Sequence, residues 1–424
     1  MTADASNTPP TNWKRGFWSL FIVQFQGAFS DNVFKFLVVF LVSASLAPEV
    51  RDQYIPLILA LFSLPFLLFS MAAGYLADRY PKPRVIIGTK WLEVGIMCTG
   101  TIGLFFQNPI VLATVLFFMG VQSAFFGPSK YGILPELLPE SRLVWGNGFL
   151  GLGTFMAIIT GGVLAGVLSD QLGGERAWIA GFVLIGLSFV GLFACKGIPT
   201  MKPANPEKKL RINFLAELWV NLQASRKDRI LKLALLGSVY FWFLGALFGE
   251  PAILVYGEDI LDLEDTKIAL LRAFLAIGIA IGCAAAGYLS LGKIEYALIP
   301  IGALGMAGAA LYMGLPGHDF KSIAIALFVL GFFGGFYDIP INALLQHRPD
   351  PKDKGSIMAT NGWLTSAGVF AAAGVFWVLK SLLGLSPTQI FIVGAAVTAS
   401  LGFYALFVVR KSFGEFVFRM TGRQ

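Results

Sequence analysis

Charge is what this sequence has least of. Only 13% of its 424 residues are Asp, Glu, Lys or Arg, about half the share in an ordinary water-soluble domain, and histidine occurs twice. A water-soluble globular protein is thereby excluded, because a chain of this length would need far more polar surface. Cysteine is scarce as well. Cys98, Cys195 and Cys283 are odd in number and each sits inside an apolar stretch, which leaves neither a disulfide framework nor a metal cluster. Basic patches interleaved with stacking aromatics are missing too. The 32 Lys and Arg are scattered between apolar stretches, so the net charge of +7 does not read as a nucleic-acid-binding face.

What the chain has in abundance is hydrocarbon. The hydrophobic set makes up 56% of it, and the mean hydropathy is +0.72. Runs of about twenty apolar residues predict an all-α membrane protein with twelve spans, near 17–46, 54–77, 85–106, 109–134, 144–169, 177–197, 231–256, 267–290, 296–315, 322–346, 357–383 and 389–409. Lys14 and Arg15 before the first span, and Ser45-Leu46-Ala47 at its end, imitate a secretory signal with a cleavage site. Cleavage is not expected, because the run is about twice the length of a signal core, contains Asp31 and Lys35, and leads into further spans.

With both termini cytoplasmic, the inner loops and tails hold 23 Lys and Arg and the outer loops five, the asymmetry that orients membrane proteins. The longest outer loop is acidic, with Glu258, Asp259, Asp262, Glu264 and Asp265. The expected organisation is a polar tail (1–16), a six-helix bundle (17–197), a cytoplasmic linker (198–230), a second six-helix bundle (231–409) and a basic tail (410–424). Within the linker, residues 213–227 suit an amphipathic helix, with Phe214, Leu215, Leu218, Trp219 and Leu222 on one face and Glu217, Asn221 and Arg226 elsewhere. Two readings stay open, a helix lying on the inner membrane surface and a plain tether.

The two halves repeat one another. Gly74-Tyr75-Leu76 recurs as Gly287-Tyr288-Leu289, Phe117, Gly120, Phe125 and Leu134 match Phe328, Gly331, Phe336 and Leu345, and Asn147-Gly148 matches Asn361-Gly362, all at nearly one offset. Such a repeat points to a duplicated six-helix unit. Six plus six helices with both ends inside resembles the major facilitator transporters. The loop Gly74-Tyr-Leu-Ala-Asp78-Arg79-Tyr-Pro-Lys82-Pro-Arg84 resembles their loop motif, which implies a gate latch built from Gly74, Asp78, Arg79 and Arg84 that stabilises an outward-open state. The alternative is a charged turn that merely obeys the positive-inside rule. The second copy has lost the aspartate, and its Gly287 to Lys293 run imitates a phosphate-binding loop. Nucleotide binding is excluded there, since Ile294 stands where Ser or Thr is needed and an apolar helix precedes the loop.

Polar groups inside spans are costly and are functional candidates by default. In the first span Gln24, Ala28, Asp31 and Lys35 form one stripe, with Asn32 beside it. The stripe reads as cavity-facing, or as a self-neutralised Asp31–Lys35 pair. Lys90 and Glu93 share a face of the third span, where Lys90 could snorkel to the interface. Lys130 follows Pro128 in the fourth, within reach of the inner interface where it too could snorkel, Glu250 precedes Pro251 in the seventh, and Asp338 and Asn342 share a face of the tenth. Arg272 reads as a snorkelling side chain.

Three segments carry a narrower resemblance: Gln24-Phe-Gln-Gly-Ala-Phe-Ser-Asp31-Asn32-Val-Phe-Lys35, Pro128-Ser-Lys130-Tyr131-Gly132-Ile-Leu-Pro-Glu136-Leu, and Gly334-Gly-Phe-Tyr-Asp-Ile-Pro340-Ile-Asn342-Ala-Leu-Leu-Gln346. They resemble the bacterial lysophospholipid transporter family and its acyltransferase-fused relatives. The resemblance implies a flippase-like carrier, not an enzyme, that moves lysophospholipids such as lysophosphatidylethanolamine inward across the inner membrane. It further implies lysophospholipid and membrane lipids as partners, leaves a separate cytoplasmic acyltransferase open, and matches Asp31, Lys35 and Lys130 to the family's polar positions. Where that family tends to carry a span 7 arginine, this chain offers Glu250. Neither His318 nor His347 begins an H-x-x-x-x-D acyltransferase motif. A zwitterionic headgroup needs a cation and an anion in one cavity, and the substrate-binding set is therefore Gln24, Asp31, Asn32, Lys35, Glu93, Lys130, Tyr131, Glu250, Asp338 and Asn342. A monomer without metal or cofactor is expected. A proton-coupled exporter of drugs or metabolites using Asp31 or Glu93, and a non-transporting scaffold or sensor, remain competing readings.

Overall fold

The computed structural model describes residues 9–45, 48–172, 175–211 and 213–420; the cleavage-like Ser45-Leu46-Ala47 falls partly outside them. The described secondary structure is helical throughout. Backbone amides inside hydrocarbon must find their partners within the segment, which an α-helix achieves without help from neighbours. The helices are α1 (Trp13–Ser45), α2 (Pro48–Arg79), α3 (Lys82–Phe106), α4 (Pro109–Leu137), α5 (Leu143–Leu172), α6 (Trp178–Ala194), α7 (Phe214–Ser225), α8 (Arg229–Leu247), α9 (Ile253–Asp259), α10 (Asp265–Leu289), α11 (Leu298–Gly314), α12 (Phe320–His347), α13 (Lys354–Trp377), α14 (Pro387–Val408) and α15 (Arg410–Met420).

Ten described helical segments are long and apolar enough to cross a membrane. Of the other two expected spans, α11 has only 17 residues, and α1 is a 33-residue helix that carries Gln24, Gln26, Asp31, Asn32 and Lys35. Local chemistry sets several boundaries. Asn108 accepts from the amides of Ile110 and Val111 at the start of α4, with Pro109 in the first turn. Ser386 and Gln389 form a capping box on α14. The seventh expected span is interrupted by a π turn at Phe248–Ala252 containing Pro251, so α8 and α9 are separate helices. Here a proline that cannot donate an amide bond coincides with a widened turn.

The chain forms two compact units: Met1–Pro139, Ala157–Arg229 and Arg348–Ser366 in the first, Glu140–Met156, Ile230–His347 and Ala367–Gln424 in the second. The first therefore contains the start of α13, and the second contains the start of α5. In the first unit α1, α3, α4 and α6 surround a core of Val33, Phe34, Leu37, Met97, Leu104, Leu116 and Leu184. In the second, Cys283 and Ala286 of α10 pack with Leu298, Ile339 and Ala343, and Phe416 of α15 joins them. The C-terminal segment expected as a basic tail is thus helical over 410–420 and docked by an aromatic side chain.

Candidate functional site

The polar residues of α1 do not all point to one partner. Asp31 Oδ2 accepts from Ser123 Oγ on α4 at 2.7 Å. Asn32 donates to the Ala28 carbonyl at 2.7 Å and accepts from Lys35 Nζ at 2.9 Å. The Lys35 ammonium lies over the rings of Phe36 and Phe62, 4.9 and 5.7 Å from their centroids. Gln24 is buried.

Behind this stripe lies a closed network. Lys90 Nζ donates to Glu93 Oε2 at 2.7 Å and to Gln26 Oε1 at 2.9 Å. Glu93 also accepts from Gln26 at 2.8 Å, and from Gln122 and Ser188 at 3.3 Å each. Four helices, α1, α3, α4 and α6, thus meet around one ion pair. Of the two readings open for Lys90, snorkelling does not hold: its side chain is fully buried, because a carboxylate one turn away offers more than a long path to water. Ser123 Oγ lies 3.2 Å from Gln122 Oε1, which links this network to Asp31.

Lys130 on α4 is buried, with its ammonium 4.2 Å from the Tyr131 ring centroid and 5.6 Å from that of Phe126. It forms no ion pair with a described carboxylate. In the second unit Asn342 Nδ2 donates to Asp338 Oδ2 at 2.7 Å, as their shared face requires, while Asp338 Oδ1 has no hydrogen-bond partner among the described residues. The Glu250 side chain lies outside the described residues; its backbone belongs to the π turn.

The Gly74 to Arg84 motif forms a second cluster. Asp78 is buried at the end of α2 and accepts from the backbone amides of Gly355 and Ser356 at 2.7 and 3.0 Å, the free amides of the first turn of α13. A Cβ on Gly74 would stand 2.6 Å from that of Ala359, so only glycine lets the two helices approach this closely. Arg79 donates to the carbonyls of Pro206 and Lys208 at 2.6 and 2.7 Å. Arg84 is exposed.

A residue that sequence reasoning passed over completes the cluster. Lys208 of the linker donates to Asp78 at 2.8 Å, to Ser356 Oγ at 2.6 Å and to Asp353 at 3.2 Å. Burial disfavours its charge, but the Asp78 and Asp353 carboxylates outweigh that and hold the ammonium above the ordinary lysine range. Nearby, Lys82 pairs with Glu136 at 2.5 Å.

The linker helix α7 forms as expected, with Asn213 accepting from the Ala216 amide at its start. Its expected facing needs correction. Asn221 is buried and donates to Thr360 Oγ1 at 3.1 Å, while Leu218 and Leu222 pack on Met71, Ala359 and Trp363. A hydroxyl on α13 gives the amide a partner, so it turns inward and the apolar residues divide between docking and exposure.

Comparison with known proteins places this geometry in context. A family model described as Major Facilitator Superfamily matches residues 20–374. The chain is 28% identical to the lysophospholipid transporter LplT of Escherichia coli strain K12 over 96% of its own length and 97% of that protein's. It is 29% identical to the LplT of an Enterobacter species over 81% and 83%. Among solved structures, the E. coli fucose:proton symporter FucP superposes with a TM-score of 0.76 at 14% identity, covering 93% of this chain and 99% of FucP. A human organic anion transporter gives the same TM-score at 15% identity, covering 94% and 100%.

Proposed function

This chain belongs to the Major Facilitator Superfamily, and we propose that it carries lysophospholipids such as lysophosphatidylethanolamine across the bacterial inner membrane by alternating access. The near full-length similarity to transporters named for that substrate supports the reading. One observation carries it at the level of chemistry. Asp31 on α1 accepts from Ser123, Lys130 on α4 lies over the Tyr131 ring, and the two do not close into an ion pair. A carboxylate and an ammonium held apart can each receive the opposite charge of a phosphoethanolamine headgroup, whereas a closed pair would have to be broken first.

In this reading Asp31 takes the ammonium and Lys130 the phosphate, with Tyr131 beside the lysine. Gln24, Asn32 and Lys35 extend the polar stripe. Glu93 acts at one remove, since neighbouring residues of α4 hold the two carboxylates, Gln122 bonding Glu93 and Ser123 bonding Asp31. Asp338 and Asn342 offer a further polar foothold in the second unit, and Glu250 is assigned there from its position in the π turn. Adding α1 and α11 to the ten long apolar segments gives twelve crossings, and the distribution of Lys and Arg puts both termini in the cytoplasm. On that side Gly74, Asp78, Arg79 and Arg84 form the gate latch with Lys208. The protein works as a monomer, and a cytoplasmic acyltransferase would take up the delivered lipid.

The test is movement of labelled lysophosphatidylethanolamine between leaflets of vesicles containing the purified protein, with Asp31→Asn as control. We expect protein-dependent movement that the substitution abolishes while the protein stays folded. No movement above empty vesicles would shift the reading to a small-molecule exporter, and undiminished movement by Asp31→Asn would remove Asp31 from the site.

A further inference from the structure

The linker helix α7 has two apolar sides, and only one is used. Its docked side presents Leu218, Asn221, Leu222 and Ser225 to α2 and α13. The adjoining stripe carries Leu215 and Trp219, which are 68% and 52% exposed, and Phe214 and Val220 are exposed as well. Arg226 lies on the same stripe, its guanidinium 5.2 Å from the Trp219 ring, and Arg211, Lys227 and Arg229 surround the helix ends.

Depth decides what this stripe meets. Met71 lies eight residues before the end of α2 and Ala359 five after the start of α13, which at about 1.5 Å per residue is roughly 8–12 Å inside those helix ends. The helix is therefore pinned alongside the bundle at the level where hydrocarbon gives way to headgroups, the depth at which amphipathic helices seat their apolar face. Tryptophan is at home there, and the basic residues complement phosphate-bearing, negatively charged headgroups.

We infer that the Leu215–Trp219 stripe of α7 is a membrane-seating surface whose partner is anionic phospholipid, and that seating it steadies the gate latch. The route to the latch is short. Asn221 donates to Thr360, Thr360 donates to the Ser356 carbonyl, and the Ser356 amide donates to Asp78. Lys208, five residues before Asn213, ties the same linker to Asp78 directly. A lipid surface that holds α7 in place thus favours the state in which α2 and α13 are joined. The inference takes its sidedness from the proposed function but does not depend on the substrate.

The test uses the full chain in two vesicle types, phosphatidylcholine alone and phosphatidylcholine with about one-third phosphatidylglycerol, each with brominated acyl chains. Subtracting Trp219→Phe from wild type isolates the Trp219 fluorescence. We expect quenching of that component by brominated chains, roughly twofold stronger in the anionic vesicles, with the difference erased by Arg226→Glu combined with Lys227→Glu. In parallel, hydrogen exchange at the Gly355 and Ser356 amides should be slower in anionic than in neutral vesicles, and equal in the two for the charge-reversed protein. An unquenched Trp219 would overturn the seating, and equal quenching in both lipids would overturn the anionic preference. Amide exchange indifferent to lipid would overturn the link to the latch. None of these readouts involves transport, so failure of the lysophospholipid reading leaves the test intact.

Discussion

The two copies of the loop motif share a glycine contact and differ in charge. In the first, Gly74 brings α2 against α13, and Asp78 four residues later is clasped by two amides and Lys208. In the second, a Cβ on Gly287 of α10 would lie 3.3 Å from Trp145 Cα and 3.4 Å from Gly148 Cα of α5, so the close approach persists. Leu291 stands where the aspartate would fall, 71% exposed and with φ of 45°. The polar support there comes from the reciprocal amide pair of Asn147 and Gln346, at 2.8 and 2.7 Å, and from Arg419 bonding Glu295. Both copies keep the close packing, while a buried carboxylate clasped by helix amides belongs to the first alone. A contact built on a carboxylate and helix amides can be exchanged for water, and so can open; one built on glycine packing has no such substitute.

The strongest way to break this contrast is to move the charge. Asp78→Ala leaves two helix amides unpaired and takes from Lys208 its nearer carboxylate, which should weaken the α2–α13 contact by about 3–5 kcal/mol and reduce lysophospholipid flux more than about tenfold, whereas Leu291→Asp should leave flux within about twofold. Flux in reconstituted vesicles checks both, and equal effects would erase the distinction. Next comes the shared glycine. Gly74→Ala forces its new methyl into Ala359 and should cost about 1–3 kcal/mol, while Gly287→Ala meets looser neighbours and should cost less than about 1 kcal/mol; thermal unfolding in detergent ranks the two.

Lys208 sharpens the comparison through pH. Its ammonium titrates above the ordinary lysine value of 10.5, so its stabilisation is complete below that value and is lost only as pH rises through the higher folded one. The Tm difference between wild type and Lys208→Met should therefore stay level from about pH 6 to about pH 9 and shrink only in stronger base. A difference that falls already near neutrality would mean the lysine is not held by carboxylates. A small effect on flux is expected from the second copy's amide pair, where Asn147→Ala or Gln346→Ala leaves a buried amide unpaired and should lower stability by about 1–3 kcal/mol.

The apolar runs made nearly all the helices legible, because hydrocarbon length is a one-dimensional property. The Gly74–Asp78 spacing was legible for a similar reason: both residues sit on one chain segment with a fixed helical geometry. What the sequence concealed are partnerships between distant segments. Gln26 differs from Gln24 in no local way, yet it bonds both members of the Lys90–Glu93 pair. Lys208 reads as one more basic residue in a polar linker until α2 and α13 are brought beside it. Lys90 and Asn221 both turn inward, each toward a partner on another helix, Gln26 and Thr360.

The central claim is that Asp31 and Lys130 together receive a zwitterionic headgroup. Equilibrium binding of lysophosphatidylethanolamine to the purified protein, compared with Asp31→Asn and Lys130→Ala, measures it most directly. The account predicts that each substitution weakens binding at least about tenfold, as loss of a charge-assisted contact in a buried site should, with unchanged melting temperatures. Full-strength binding by both variants would contradict it.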